Sequence, residues 1–311
     1  MAAATPVGDD LMRRYLIAAL AATLPSVGHA ALQVVVIEGL GGEPQYVEQF
    51  ASQVDELERA ASGLTDDDRI RVFRSGEFNR DDVLSFFDAL DLDSDDRLAI
   101  FLIGHGSYDE HEYKFNIAGA DVTDTDLYDI LDGADAGSLL VVNTSSASGA
   151  TRERLMGDGR TLILATRSGA ERHATRFGGY FVAALSDASA DLDKDQVVSA
   201  EEAFQFAERQ VNDFFERNGR LATEHARLEG DQAARFNLAR LDAPRQTRSD
   251  AALERMNARR DELNSDIEDL QLRRGTMPPD DYQSALLGLM LELATLEEDI
   301  ERRESEIDND D

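Results

Sequence analysis

"RLAIFLIGHGSYD", residues 97–109, sets the reading of the whole chain. A continuous apolar run stops at Gly104-His105-Gly106, the pattern of a parallel strand buried on both faces that ends in a turn. A second run of this kind, "SLLVVNTSSASG" (138–149), ends in small hydroxyl residues, and an earlier one, "LQVVVIEGLGG" from Leu32, ends in glycines. Between and beyond them lie an amphipathic helix at 44–61, the strand "RIRVFRS" (69–75) and the helix "RDDVLSFFDAL" (80–90). "KFNIAG" reads as a short strand, "TDTDLYDILDG" (123–133) as a helix capped by Thr123 or Asp124, and "RTLILATRSG" as a last strand. This alternation predicts an α/β fold, with an open, mostly parallel sheet covered by helices on both faces. In such sheets ligands sit at the carboxyl ends of the strands, where His105 and the 143–149 turn fall.

The chain's 311 residues suffice for one substantial core with an appendage. Its net charge is -32, from 63 acids against 31 bases. Such a field repels nucleic acid and anionic membranes and favours cations, basic peptides and calcium, so a nucleic-acid partner is not expected. Residues 12–30, "MRRYLIAALAATLPSVGHA", carry Arg13 and Arg14 before a short apolar stretch, then Pro25, Gly28 and Ala30. That is the layout of a cleaved signal peptide (1–30), and it predicts a periplasmic or secreted protein. No later apolar run is long enough to span a bilayer, and the chain has no cysteine, so no disulfide supports the fold.

After a Pro- and Arg-containing linker the pattern changes. Leu253, Met256, Arg260, Leu263, Ile267 and Leu270 are spaced 3, 4, 3, 4, 3, and Tyr282, Leu286, Leu289, Leu293, Leu296 and Ile300 are spaced 4, 3, 4, 3, 4. Two heptad stripes joined through "RRGTMPPDD" predict an antiparallel helical hairpin over 246–311, following a first domain over 31–245. Two isolated stripes bury little, so the hairpin is expected to pack on the first domain or to self-associate.

Glycines around His105 leave room for a substrate backbone, and an exposed imidazole with its ordinary pKa of about 6.5 exchanges protons near neutrality. "GHG" after one strand and "SASG" after the next resemble the caspase and legumain clan of cysteine peptidases, as does "ATRSGAERHATRFGGYFVAAL" further on. The resemblance covers roughly residues 32–230 and implies a caspase-like sheet. It matches His105 to the clan's catalytic histidine and Ser146 to its cysteine. The serine is a departure. A thiol is partly ionised near neutrality, whereas a hydroxyl needs a hydrogen-bonded base. The sequence signals no orienting acid; Asp109 and Glu112 are candidates by proximity alone, and Glu171 is a candidate for lining a basic-side-chain pocket.

Several readings are therefore open. One is a pseudopeptidase that binds peptide or protein partners; another is an endopeptidase or acyl hydrolase using Ser146 and His105. A third is an engineered trap of an active peptidase, and a fourth a structural scaffold of an envelope assembly docked through the hairpin.

"DLDKDQVVSAEE" (191–202) has EF-hand spacing: Asp191, Asp193 and Asp195 at positions 1, 3 and 5, the Val197 carbonyl at 7, Ser199 at 9 and Glu202 at 12. Helical patterns flank it, and Gln196 replaces the usual glycine, which demands a strained positive φ. A structural calcium ion held on the order of 10⁻⁴ to 10⁻³ M is expected. The histidines lack zinc spacing, and "EGLGGEP" lacks the G-x-G-x-x-G of nucleotide binders.

Overall fold

The structure, a computed structural model, describes residues 31–241, eight positions between 255 and 270, and residues 277–309. The expected signal peptide, the linker from 242 and the turn around Gly275 lie outside the described residues. The chain divides into two compact units, with the boundary between Leu241 and Asp242.

The first unit begins with β1 (Leu32–Glu38), α1 (Pro44–Ser62), β2 (Ile70–Phe73), α2 (Arg80–Asp88) and β3 (Arg97–Ile103). Three short strands follow, β4 (Gly106–Tyr108), β5 (Tyr113–Phe115) and β6 (Val122–Thr123), then α3 (Asp124–Gly133) and β7 (Ser138–Asn143). The rest comprises α4 (Arg152–Leu155), β8 (Arg160–Leu164), α5 (Phe177–Ala183), β9 (Val197–Ser199), α6 (Ala200–Arg217), β10 (Arg227–Glu229) and β11 (Asn237–Arg240).

The main sheet has the order β10-β8-β7-β3-β1-β2. Its strands pair in parallel except β10, which covers the β8 edge antiparallel. The continuous apolar runs are explained by burial on both faces. Val34, Val36, Ala99, Phe101, Ile103, Leu140 and Val142 pack with residues of α1, α5 and α6. Their neighbours Val35, Ile37, Leu98, Ile100, Leu102, Leu139 and Val141 pack with residues of α2, α3 and α4. The α/β expectation thus stands, with a mostly parallel sheet between two helical layers.

Local chemistry sets the helix starts. Pro44 opens α1, and capping boxes open α2 (Asn79 with Asp82), α3 (Thr123 with Asp126) and α6 (Ser199 with Glu202). Two small antiparallel sheets, β4-β5-β6 and β9-β11, go beyond the single short strand expected at 114–119.

In the second unit α7 (Pro279–Asn309) carries the second heptad stripe. The described positions between 255 and 270 are helical too. Leu263, Ile267 and Leu293 form a buried cluster with Leu286, Leu289 and Leu296 packed against it, and Arg259 pairs with Glu292 at 2.7 Å. The two stripes therefore face each other, as the heptad spacing requires. Among the described residues, no helix is long and apolar enough to cross a membrane.

Candidate functional site

The strand order places the two expected turns side by side, since β3 and β7 are neighbours with Leu102 opposite Asn143. The chain leaves β1 for β2 on one side and returns to β3 on the other, so His105 stands at the switch point of the sheet. Close packing forms this end: a Cβ on Gly104 would lie 2.9 Å from the Gly39 Cα.

The His105 ring lies edge-on to Tyr46 and Phe50 of α1, with ring centroids 4.7 and 5.0 Å away. Burial lowers its pKa below the ordinary 6.5, only partly opposed by the Gly41 carbonyl and the Glu43 charge. The imidazole is therefore neutral at neutral pH.

Ser146 is buried. Its hydroxyl donates to the Gly106 carbonyl at 2.9 Å, and the Gly106 N–H approaches Oγ at 3.5 Å. Among the described residues no hydrogen bond joins Ser146 to His105. The next residue, Ala147, is left-handed at φ 58, and its N–H donates to the Glu171 carbonyl at 2.8 Å.

A buried polar network underlies the turn. The Tyr113 hydroxyl lies 2.6 Å from Ser145 Oγ and accepts from Asn143 Nδ2 at 3.0 Å, while Ser145 Oγ donates to Asn143 Oδ1 at 2.8 Å. Burial pushes the Tyr113 pKa up to about 12, so the phenol stays protonated. Sequence patterns gave no sign of this network beyond the polar Asn143 ending an apolar strand.

The candidate acids are otherwise engaged. Asp109 accepts from the His111 and Glu112 backbones and from Lys114 at 3.0 Å, which holds its carboxyl well below the usual range. Glu112 pairs with Lys114 at 3.7 Å. Glu171 accepts from the Arg167 and His225 backbones and from His225 Nδ1 at 2.7 Å, so its carboxylate ties two loops together. Glu43, which sequence reasoning did not select, is the acid whose charge reaches His105. Glu224 was missed as well: it is buried and accepts from the Arg176 and Phe177 backbones at the start of α5. A cavity of about 60 Å³, room for a water or two, is lined by Phe177, Val211, Glu224 and His225, and neither His105 nor Ser146 takes part.

In the 191–202 loop, carboxylate oxygens of Asp191, Asp193 and Asp195 lie within 4.8 Å of one another. Ligands at about 2.3–2.6 Å from one calcium would be at most roughly 5 Å apart, so these three fit a single ion. Gln196 is left-handed at φ 67, as the position of the missing glycine demands, and so is Lys194 at φ 63. Asp191 accepts from the Asp195 and Gln196 N–H groups, which curls the loop. The Asp195 N–H pulls the Asp193 pKa down, but desolvation and the charges of Asp195, Glu202 and Asp191 outweigh it and leave it raised. Glu202 is not among the converging acids: its oxygens accept from the Leu192 and Ser199 N–H groups and from the Ser199 hydroxyl. The segment Val197–Ser199 forms β9 and pairs with β11.

Compared with known proteins, the chain matches no family model, and no curated protein matches it.

Proposed function

We propose that the chain is a degenerate caspase- or legumain-like protein, which binds peptide or protein partners without cleaving them. One observation carries this reading: the Ser146 hydroxyl gives its proton to the Gly106 carbonyl, while the His105 ring packs edge-on against Tyr46 and Phe50. A serine nucleophile needs a base within hydrogen-bond reach, and this hydroxyl has a carbonyl instead. The adjacent turns and the "GHG" and "SASG" residues support the family resemblance.

The same reading places the protein in the periplasm or outside the cell, on the strength of Arg13, Arg14 and the apolar stretch that follows. It also gives the 191–202 loop a structural calcium ion, held by Asp191, Asp193, Asp195 and the Val197 carbonyl. Ser199 and Glu202 would complete the set once Glu202 turns from its capping position. The ion would offset the mutual repulsion of the acids and tie the start of α6 to the loop.

The test exploits the absence of cysteine. Wild-type chain is treated with a fluorophosphonate, and Ser146→Cys, carrying the only thiol, is assayed on a mixture of internally quenched peptides. The expected result is an unlabelled wild type and peptide cleavage by the variant. A wild-type adduct at Ser146 that disappears in His105→Ala would establish an acyl hydrolase instead. A variant that neither cleaves peptides nor reacts with thiol reagents would sink the peptidase ancestry.

A further inference from the structure

The apolar content of α7 exceeds what the hairpin buries. Leu286, Leu289, Leu293 and Leu296 face the first stripe, yet Leu287 is 60% exposed, Met290 50% and Leu291 61%. Ser284, Gly288 and Ala294 are exposed beside them. A helix apolar on both sides belongs inside a larger assembly. Gly288 adds an independent sign: it lies inside the helix, where glycine costs about 1 kcal/mol relative to alanine, and a Cβ there would meet nothing within 4 Å. Nothing among the described residues explains a glycine at that position.

Charge selects the occupant. In a chain of net charge -32, residues 282–291 carry no charge at all. A basic partner would find no acid there, whereas a second copy could approach without like-charge contact. The residue order is also self-complementary. An antiparallel crossing centred between Leu287 and Gly288 sets Leu291 against Ser284 of the second copy and Leu287 against its Gly288, large residue into small. Glu292 then falls opposite Gln283 and Asp281 opposite Ala294, so no acid meets an acid. A parallel crossing would stack Glu292 on Glu292.

We propose that the exposed face of α7, centred on Leu287, Gly288 and Leu291, is a homodimer interface in which two hairpins cross antiparallel about a two-fold axis. The contact is isologous, as a two-fold requires. Specific association buries about 1,200 Å² or more in total, so the contact runs along α7 beyond these three side chains. This inference does not depend on the peptide-binding reading.

Sedimentation velocity of the full chain over a concentration series should show a dimer. Leu291→Glu should be monomeric, with the far-ultraviolet spectrum and the first unit's melting unchanged. Because the chain has no cysteine, orientation can be read by single-site oxidation. Leu287→Cys, beside the axis, should form a covalent dimer, and Glu292→Cys should not. A chain that stays monomeric at every concentration overturns the proposal. So does equal cross-linking at both positions, which would indicate a parallel pair. Loss of first-unit stability in Leu291→Glu also overturns it, since the face would then be docked within its own chain.

Discussion

Replacing Gly106 by alanine should destabilise the first unit by about 3 kcal/mol through contacts that can be named in advance. A Cβ at this position would lie 2.5 Å from Ser145 Oγ, 2.6 Å from the Tyr113 hydroxyl and 2.7 Å from the Ser146 carbonyl. Each is too close for a carbon, and all three belong to the packed network beneath the Ser146 turn. Inserting a methyl into a filled core costs about 1–3 kcal/mol. Ser145 can rotate away, but only by leaving Tyr113 and Asn143, and each buried hydrogen bond lost costs about 1 kcal/mol. Overpacking at the lower end of that range plus the two lost bonds comes to about 3 kcal/mol. For a unit of this size about 3 kcal/mol lowers the melting temperature by roughly 6–12 °C. Urea unfolding followed by circular dichroism, at fixed calcium, gives the number. A double-mutant cycle locates its cause: Ser145→Ala removes the nearest atom, so Gly106→Ala should cost less in that background, by more than about 0.5 kcal/mol. An alanine at 106 that leaves stability unchanged, or a cycle that is strictly additive, refutes the account of why glycine follows His105.

Other expectations concern the ion and the titrating groups. If the acidic loop holds calcium on the order of 10⁻⁴ M, raising the ion to about one hundred times that value should stabilise the first unit by about 2.7 kcal/mol. Asp191→Ala, which removes the position-1 carboxylate, should abolish that response, and an unchanged melting temperature at millimolar calcium in the wild type rules the ion out. His105 has a folded pKa lowered from 6.5, so the unfolded chain takes up its proton first. Its contribution is present above 6.5 and lost as pH falls below, and His105→Gln should flatten stability across that window. A slope unaltered in the variant contradicts the burial argument. Glu224→Ala strips a buried carboxylate from the Arg176 and Phe177 N–H groups. Hydrogen bonds to a charged group contribute about 1.5–3 kcal/mol, so a loss under about 1 kcal/mol in urea unfolding would mean that solvent replaces it.

Much of the architecture was readable along the chain because it rests on short-range regularities. Uninterrupted apolar residues at 34–37, 98–103 and 139–142 required a sheet covered on both faces, and the structure supplies both layers. The Thr123 cap of α3 depends on groups three residues apart, as does the box by which Ser199 and Glu202, read from the sequence as calcium ligands, open α6. Spacing likewise marked the Asp191-Asp193-Asp195 loop and the left-handed demand at Gln196. The heptads of the hairpin were visible for the same reason.

The chemistry of the strand ends was a different matter. From sequence His105 and Ser146 could be placed on neighbouring turns, but not given partners. The ring goes to Tyr46 and Phe50, and the hydroxyl to Gly106. Tyr113 joins Asn143 and Ser145 across about thirty residues, and Glu171 joins His225 across more than fifty. A periodic pattern determines which face of a strand or helix is buried, because that depends on neighbours one turn or one pleat away. A hydrogen-bond partner is chosen by distances of a few tenths of an ångström between segments that the chain brings together only once folded. The sequence by itself therefore determined the layers, the caps and the loop spacing; tertiary packing alone decided that the serine's proton rests on a carbonyl.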